Sequence, residues 1–406
     1  MDLEHGLRTR SLCLALHPKP KTGPLWLGET NPASLLPPKT DNCLEMKMAA
    51  VSEKGDRPSI SMYDLGTLKR KRVLNLPSDM TALEFVSLSF THDGKCVAAV
   101  AGEPDWMLIF YNWEKGKIDS LTKANSLNNP GPVVQVACNP SDSTVVCVVG
   151  PGLFRLLALS DTVWRQYGYQ KAEMLPITCV CWIAFDRILA GTKDGRLVFV
   201  ESGELKAIYR AMDLNMITIQ AKDEPITLSN TTLMQSSTES VPSNTEVHEL
   251  LPFPKGFAYA CGSGQVHLFE RESNQRYRKR NVFRVPAPEF QDRSQEDLCA
   301  VQSLSVNITQ DKLLATTLRS QLYSVRLWGQ DQAQVLEVPF KMVGEYLHHG
   351  PVIGLATCAW KPIFLTCGQV DRTVRVWNYE EGTQELVKQY QEDLYCVALH
   401  PTGNHQ

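Results

Sequence analysis

The sequence predicts an all-β chain built as a β-propeller of about seven blades, incompletely or irregularly closed. Three observations lead there. One element recurs: a turn of small residues, a short alternating strand, and an aromatic or aliphatic residue followed by a polar one. Its copies end at Tyr63-Asp64, Tyr111-Asn112, Leu157-Ala158, Val200-Glu201, Phe269-Glu270, Val325-Arg326 and Trp377-Asn378. The steps between these marks run from 43 to 56 residues, with one of 69, against about 40–50 for a four-stranded blade. Each unit also carries an apolar run upstream, such as Phe85 to Phe90, Val133 to Cys138, Ile177 to Trp182 and Val352 to Cys358, and no helical period competes.

In chain order, residues 1–42 form an irregular segment carrying Pro18, Pro20, Pro24, Pro32, Pro37 and Pro38, with one strand-like run from Ser11 to Leu16. The propeller spans 43–399. Asp194-Gly195 reads as a two-residue hairpin turn, because a type I′ turn needs positive φ at both central residues, which Gly accepts and Asp tolerates. Gly262 and Gly264 suit the same need one unit later. Alternation such as Val266-His267-Leu268-Phe269 sends successive side chains to opposite faces of a sheet. The long step contains Thr227 to Thr245, where 12 of 19 residues are Ser, Thr or Asn. That composition cannot bury enough apolar surface to order itself, so 218–245 reads as a disordered insert and a plausible phosphorylation target. Tyr395 to Leu399 begins another strand, Pro401-Thr402-Gly403 turns, and 400–406 is a short tail.

Composition bounds the function. The 406 residues carry 41 Lys+Arg against 44 Asp+Glu, a formal net charge of -3, which speaks against binding nucleic acid through bulk charge and against an acidic disordered chain. Twelve cysteines are too sparse for a disulfide-stapled secreted domain, and Cys96, Cys138, Cys147, Cys179, Cys261, Cys299, Cys358, Cys367 and Cys396 all sit in apolar, strand-like runs. Free thiols and a soluble intracellular protein are expected. Ser11 to Leu16 is too short for a signal-peptide core, and no run approaches the ~20 apolar residues of a membrane span.

The unit with the fullest pattern runs from His349 through Asp371, Thr373 to Trp377 and Asn378, and it resembles the WD-repeat family. That resemblance implies a buried network of His, Asp, Ser/Thr and Trp bracing the blade, here His349, Asp371 and Trp377, with Cys367 standing where the hydroxyl is expected and Asn378 in place of the family's Asp. Val200, Phe269 and Val325 replace Trp in other units. Pro58 to Leu65, Lys69 to Val73, Asn128-Asn129-Pro130, Gly191 to Gly203, Gln321 to Ser324, Gly354 to Thr357, Lys361-Pro362, Arg375 to Tyr379 and Tyr390-Gln391-Glu392 are similar to ciliary members of that family. The ciliary resemblance implies a non-enzymatic scaffold of the motile-cilium axoneme. Its place would be cytoplasm, cytoskeleton and axoneme, its role to support inner dynein arm assembly or docking and motility. Partners would be the inner dynein arm or its regulatory complex, with tubulin a further one. A truncated or spliced form is expected, without the family's coiled-coil tail, so dimerisation through that tail is not supported. The alternative reading is a cytoplasmic WD-repeat adaptor in another complex, such as a ubiquitin-ligase substrate receptor.

Cys179 and Cys181 on one strand share a face and read as core, since no second Cys/His pair completes a metal site. His348-His349 reads as a bracing His349 beside an exposed His348, rather than as a ligand pair. Basic runs at Lys69, Arg70, Lys71, Arg72 and at Arg276, Arg278, Lys279, Arg280 follow third strands, where a blade's outer connection is solvated. Solvated edge, contact with an acidic protein such as tubulin, and nucleic-acid binding are the readings in descending order. GxxxxGK[ST], HExxH and GxSxG are absent, so no catalytic residue, metal or cofactor is expected.

Overall fold

Alternating apolar strands bury two faces only if sheets stack, and the computed structural model stacks them radially. It describes residues 14–17, 48–125, 131–168, 175–218, 245–273, 275–286, 299–307, 309–319, 321–327, 336–345, 347–348, 351–358 and 360–399. Among the described residues seven sheets follow one another along the chain, antiparallel but for one parallel pair in the fifth. Sheet 1 holds β1 (Leu14–His17), β2 (Met48–Glu53), β3 (Ser59–Asp64) and β4 (Lys69–Asn75). Sheet 2 holds β5 (Phe85–Phe90), β6 (Cys96–Ala101), β7 (Met107–Asn112) and β8 (Lys117–Lys123). Sheet 3 has β9 (Gln135–Cys138), β10 (Val145–Gly150), β11 (Leu153–Ser160) and β12 (Val163–Tyr167); sheet 4 has β13 (Ile177–Ala184), β14 (Arg187–Thr192), β15 (Arg196–Glu201) and β16 (Glu204–Arg210).

Sheet 5 is larger. β17 (Met216–Thr218) pairs the far edge of β21 (Arg276–Arg284), after β18 (Val247–Phe253), β19 (Gly256–Cys261) and β20 (Gln265–Ser273). Sheet 6 comprises β22 (Val301–Val306), β23 (Lys312–Thr317), β24 (Leu322–Arg326) and β26 (Lys341–Met342), while β25 (Leu336–Pro339) runs parallel to β21. Sheet 7 is β27 (Val352–Thr357), β28 (Ile363–Gly368), β29 (Thr373–Asn378) and β30 (Thr383–Gln389).

Five apolar cores lie between consecutive sheets from 1 to 6. Met48, Ile60 and Met62 meet Phe85, Ile109 and Tyr111 between sheets 1 and 2; Phe199 and Cys181 meet Phe257, Phe269 and Tyr277 between sheets 4 and 5. At ~1.5–3 kcal/mol per large buried side chain, these cores are the main stabilising term. Inner strands are also laced across sheets by side chains. The Val136 and Cys138 amides donate to Ser87 and Ser89 hydroxyls (both 3.1 Å), and the Val180 amide donates to Gln135 Oε1 (2.7 Å). Each tie satisfies a backbone donor that ladder pairing leaves over.

Sheet 7 differs. Val352, Leu355, Tyr379 and Leu386 are 53%, 65%, 60% and 54% exposed, and none of the five cores includes it.

Several expectations need correction. The strand-like run read at Ser11 to Leu16 is not among them: β1, at Leu14–His17, pairs β2 and precedes the prolines that would break a ladder. At the β14–β15 turn Gly195 has φ +77 whereas Asp194 is not left-handed, so the turn is not type I′; Asp194 instead accepts a hydrogen bond from the Thr192 hydroxyl (2.5 Å). Tyr395 to Leu399 forms no strand, and Cys396 is exposed. Most of the 218–245 insert, beyond Thr218 and before Thr245, and the whole tail 400–406 lie outside the described residues.

Candidate functional site

Two features carry the candidate chemistry: a polar network in sheet 7 and the basic outer strands of sheets 1 and 5. The network is built where β28 and β29 lie in register, Thr366 opposite Arg375 and Phe364 opposite Trp377. Trp377 Nε1–H donates to Thr366 Oγ1 (2.7 Å), and Thr366 Oγ1 lies 2.7 Å from His348 Nε2. Because the Asp371 carboxylate can only accept, the ring proton facing it sits on Nδ1, 2.9 Å from Asp371 Oδ2, and a neutral ring then accepts the Thr366 hydroxyl proton at Nε2. Thr373 Oγ1 is 3.1 Å from the same nitrogen, and Arg375 Nη2 reaches Asp371 Oδ2 at 3.6 Å. Burial lowers the Arg375 pKa, opposed by the neighbouring Asp371. A Cβ on Gly368 would stand 2.1 Å from Asp371 Oδ1 and 2.5 Å from His348 Nδ1, so only glycine lets the pair approach.

The histidine of this network is His348, which is 7% exposed, and the hydroxyl is that of Thr366. Sequence reading expected His349 and Cys367, one residue off in each case. Alternation sends neighbours to opposite faces: Thr366 shares a face with Phe364, whereas the Cys367 thiol approaches Gly354. His349 lies outside the described residues. Strand parity could have found Thr366, since Trp377 and its partner Phe364 share a face.

The basic runs lie on fourth strands, not on connections after third strands. Lys69, Arg70, Lys71 and Arg72 open β4, the outermost strand of sheet 1, and all four are exposed. Among the described residues, only Lys71 of the four is within ion-pair range of a carboxylate, Asp64 at 3.4 Å. The Arg72 guanidinium lies over Gly116 in the β7–β8 turn, 2.6 Å from where a Cβ would stand. Sheet 5's run is different. β21 is flanked by β17 and β25 and is no free edge. Arg276 and Arg278 pair Glu272 at 3.2 and 3.7 Å, and Arg280 pairs Glu270. Lys279 is 7% exposed, with its pKa lowered by burial, so it offers no contact. Among the described residues, β4 thus keeps Lys69, Arg70 and Arg72 outside ion-pair range of a carboxylate, where the sequence showed two similar runs.

Cys179 and Cys181 both face the core between sheets 4 and 5, and burial raises both thiol pKa values. Among the described residues no group of three or more potential metal ligands is brought together. Inner strands β5, β9, β13 and β18 line a partly open recess of about 50 Å³, bordered by Leu88, Val136, Cys181, Trp182, Glu249 and Leu251. It is large enough for water and far below the ~300 Å³ of an organic-ligand pocket. Burial pushes the Glu249 carboxyl up to about 8.

No family model matches the chain. It is 32% identical over 375 residues to cilia- and flagella-associated protein 57 of Mus musculus, covering 88% of this chain and 30% of that protein. It is 22% identical over 411 residues to cilia- and flagella-associated protein 57 C of Tetrahymena thermophila, covering 87% of this chain and 30% of that one. The chain thus spans about a third of the length of the curated relatives it matches. Among solved structures, one titled U3-55K is 11% identical, with a TM-score of 0.47 over 66% of this chain and 70% of its own.

Proposed function

We propose that this chain, a WD-repeat β-propeller similar over 88% of its length to cilia- and flagella-associated protein 57, is a non-enzymatic scaffold of the motile-cilium axoneme that supports inner dynein arm assembly or docking. The observation that carries this reading is the extent of the similarity: it runs through the chain instead of resting on one repeat. The architecture fits it physically. Stacked sheets present loops and outer strands from several blades at once, so a partner can be held without any convergent nucleophile and base. The unneutralised β4 edge supplies a positive surface suited to an acidic filament or protein by charge complementarity.

Affinity purification of the tagged chain from detergent-extracted axonemes tests the reading. Recovery of inner dynein arm or regulatory-complex subunits is expected. Recovery of ubiquitin-ligase subunits from the soluble fraction, with no axonemal protein enriched, overturns it in favour of a cytoplasmic adaptor.

A further inference from the structure

Near its two ends the sequence contains nearly the same six residues: Cys13-Leu14-Ala15-Leu16-His17-Pro18 and Cys396-Val397-Ala398-Leu399-His400-Pro401, differing only at Leu14 and Val397. The first copy supplies β1, the inner strand of sheet 1, in the register Leu14↔Val51, Ala15↔Ala50, Leu16↔Ala49, His17↔Met48. Of the second copy, the described residues, up to Leu399, lie in no strand, and Tyr395 beside them is 81% exposed.

Connectivity says where the second copy points. From sheet to sheet the chain leaves an outer strand and enters the inner strand of the next sheet, as from β4 to β5, β8 to β9, β12 to β13 and β26 to β27. After β30, the outer strand of sheet 7, the next position is therefore an inner strand beside β27. Val397 already stands there. A Cβ on Gly354 of β27 would lie 3.0 Å from Val397 Cγ1 and 3.1 Å from its amide nitrogen. Between sheets 4 and 5 the inner strands meet at the same place: the Thr178 hydroxyl of β13 donates to the Val247 carbonyl (2.5 Å), at the start of inner strand β18. In a ring of seven sheets, the inner position beyond sheet 7 is the inner edge of sheet 1, which β1 occupies.

We infer that β1 and the segment Val397–Leu399 are alternative occupants of one site, the inner edge of β2. In the second state the later copy pairs β2 as Val397↔Val51, Ala398↔Ala50 and Leu399↔Ala49, the segment around residues 14–17 is released, and sheet 7 closes the ring against sheet 1. The two strands present the same backbone groups and differ by a single methylene, so neither excludes the other by chemistry alone. What favours closure is cover for sheet 7: Val352, Leu355, Tyr379 and Leu386 are exposed on it, whereas each consecutive pair of sheets from 1 to 6 shares an apolar core. What favours the open state is the nearer tether of β1, with 30 residues between His17 and Met48. A bistable closure of this kind would let ring geometry respond to whatever binds either segment.

Cross-linking decides between the states. In the full chain with Cys13→Ser and Cys396→Ser, the pair Ala50→Cys/Ala398→Cys places opposed antiparallel residues within ~4.5–5.5 Å between Cα atoms, inside disulfide range. Oxidation is expected to give a disulfide within one chain, read by peptide mass spectrometry, and removing residues 1–17 to raise its yield severalfold. Ala15→Cys/Ala50→Cys should trap the other state in the same preparation. A disulfide found only for the 15–50 pair, or a 50–398 bond found only between two chains, overturns the inference. Hydrogen exchange on β2 guards against misfolded variants. Its amides should stay protected without residues 1–17 and exchange at least tenfold faster when 394–406 are removed as well. Loss of protection on the first deletion alone contradicts the proposal.

Discussion

Thr366 shows how much hangs on one hydroxyl. It accepts from the Trp377 indole and serves His348, so Thr366→Val, of similar shape, leaves two buried polar groups unpaired. At ~1–3 kcal/mol per stranded group, the variant should lower the urea midpoint and loosen exchange protection of β28 and β29, while Cys367→Val changes both less. Gly368→Ala should do at least as much harm, because the added methyl must displace Asp371 or His348. Two buried titratable groups set opposite pH limbs. His267 is 2% exposed, stacked on Tyr259, and burial depresses its pKa from 6.5 to about 3. Unfolding lets it take up a proton, so stability falls as pH drops from about 6.5 towards 3. Glu249 is raised from 4.5 to about 8, so its contribution is full below 4.5 and is lost as pH rises through 8. Urea titrations across pH should show Glu249→Gln flattening the alkaline limb and His267→Phe the acid one.

Among the elements, β4 and β21 look alike in sequence and part in the structure. Arg276, Arg278 and Arg280 are answered by Glu270 and Glu272 on their own hairpin, and Lys279 turns inward, whereas β4 keeps three cations without an ion-pair partner among the described residues. Reversing Lys69, Arg70 and Arg72 to Glu should weaken salt-sensitive binding to acidic partners, such as polymerised tubulin in a sedimentation assay, by tenfold or more. Thermal stability should move by about 0.5 kcal/mol or less, as for exposed charges generally. The corresponding reversal in β21 should cost stability first, by breaking its hairpin pairs. This contrast marks the limit of what sequence could tell. Strand periodicity at Phe85 to Phe90 or Ile177 to Trp182 was legible because alternation is local. Which charges find partners was not, because Glu270 and Glu272 meet the arginines only through the β20–β21 register. The shift from His349 to His348 has the same origin: a loop residue has no parity to read, and only the Asp371 turn fixes which ring is buried.

At the scale of the whole molecule, an apolar core joins each consecutive pair of sheets from 1 to 6, and sheet 7, braced internally by its own network, shares none of these cores. Under the proposed scaffold role, function rests on where the chain is held. The direct measurement is salt extraction of axonemes from multiciliated cells, following this chain by a peptide within residues 1–42 and comparing it with the Lys69, Arg70 and Arg72→Glu variant. The account predicts retention of the native chain at moderate salt and release of the variant at lower salt. Native chain found wholly in the soluble fraction, with longer relatives still on the axoneme, would contradict it.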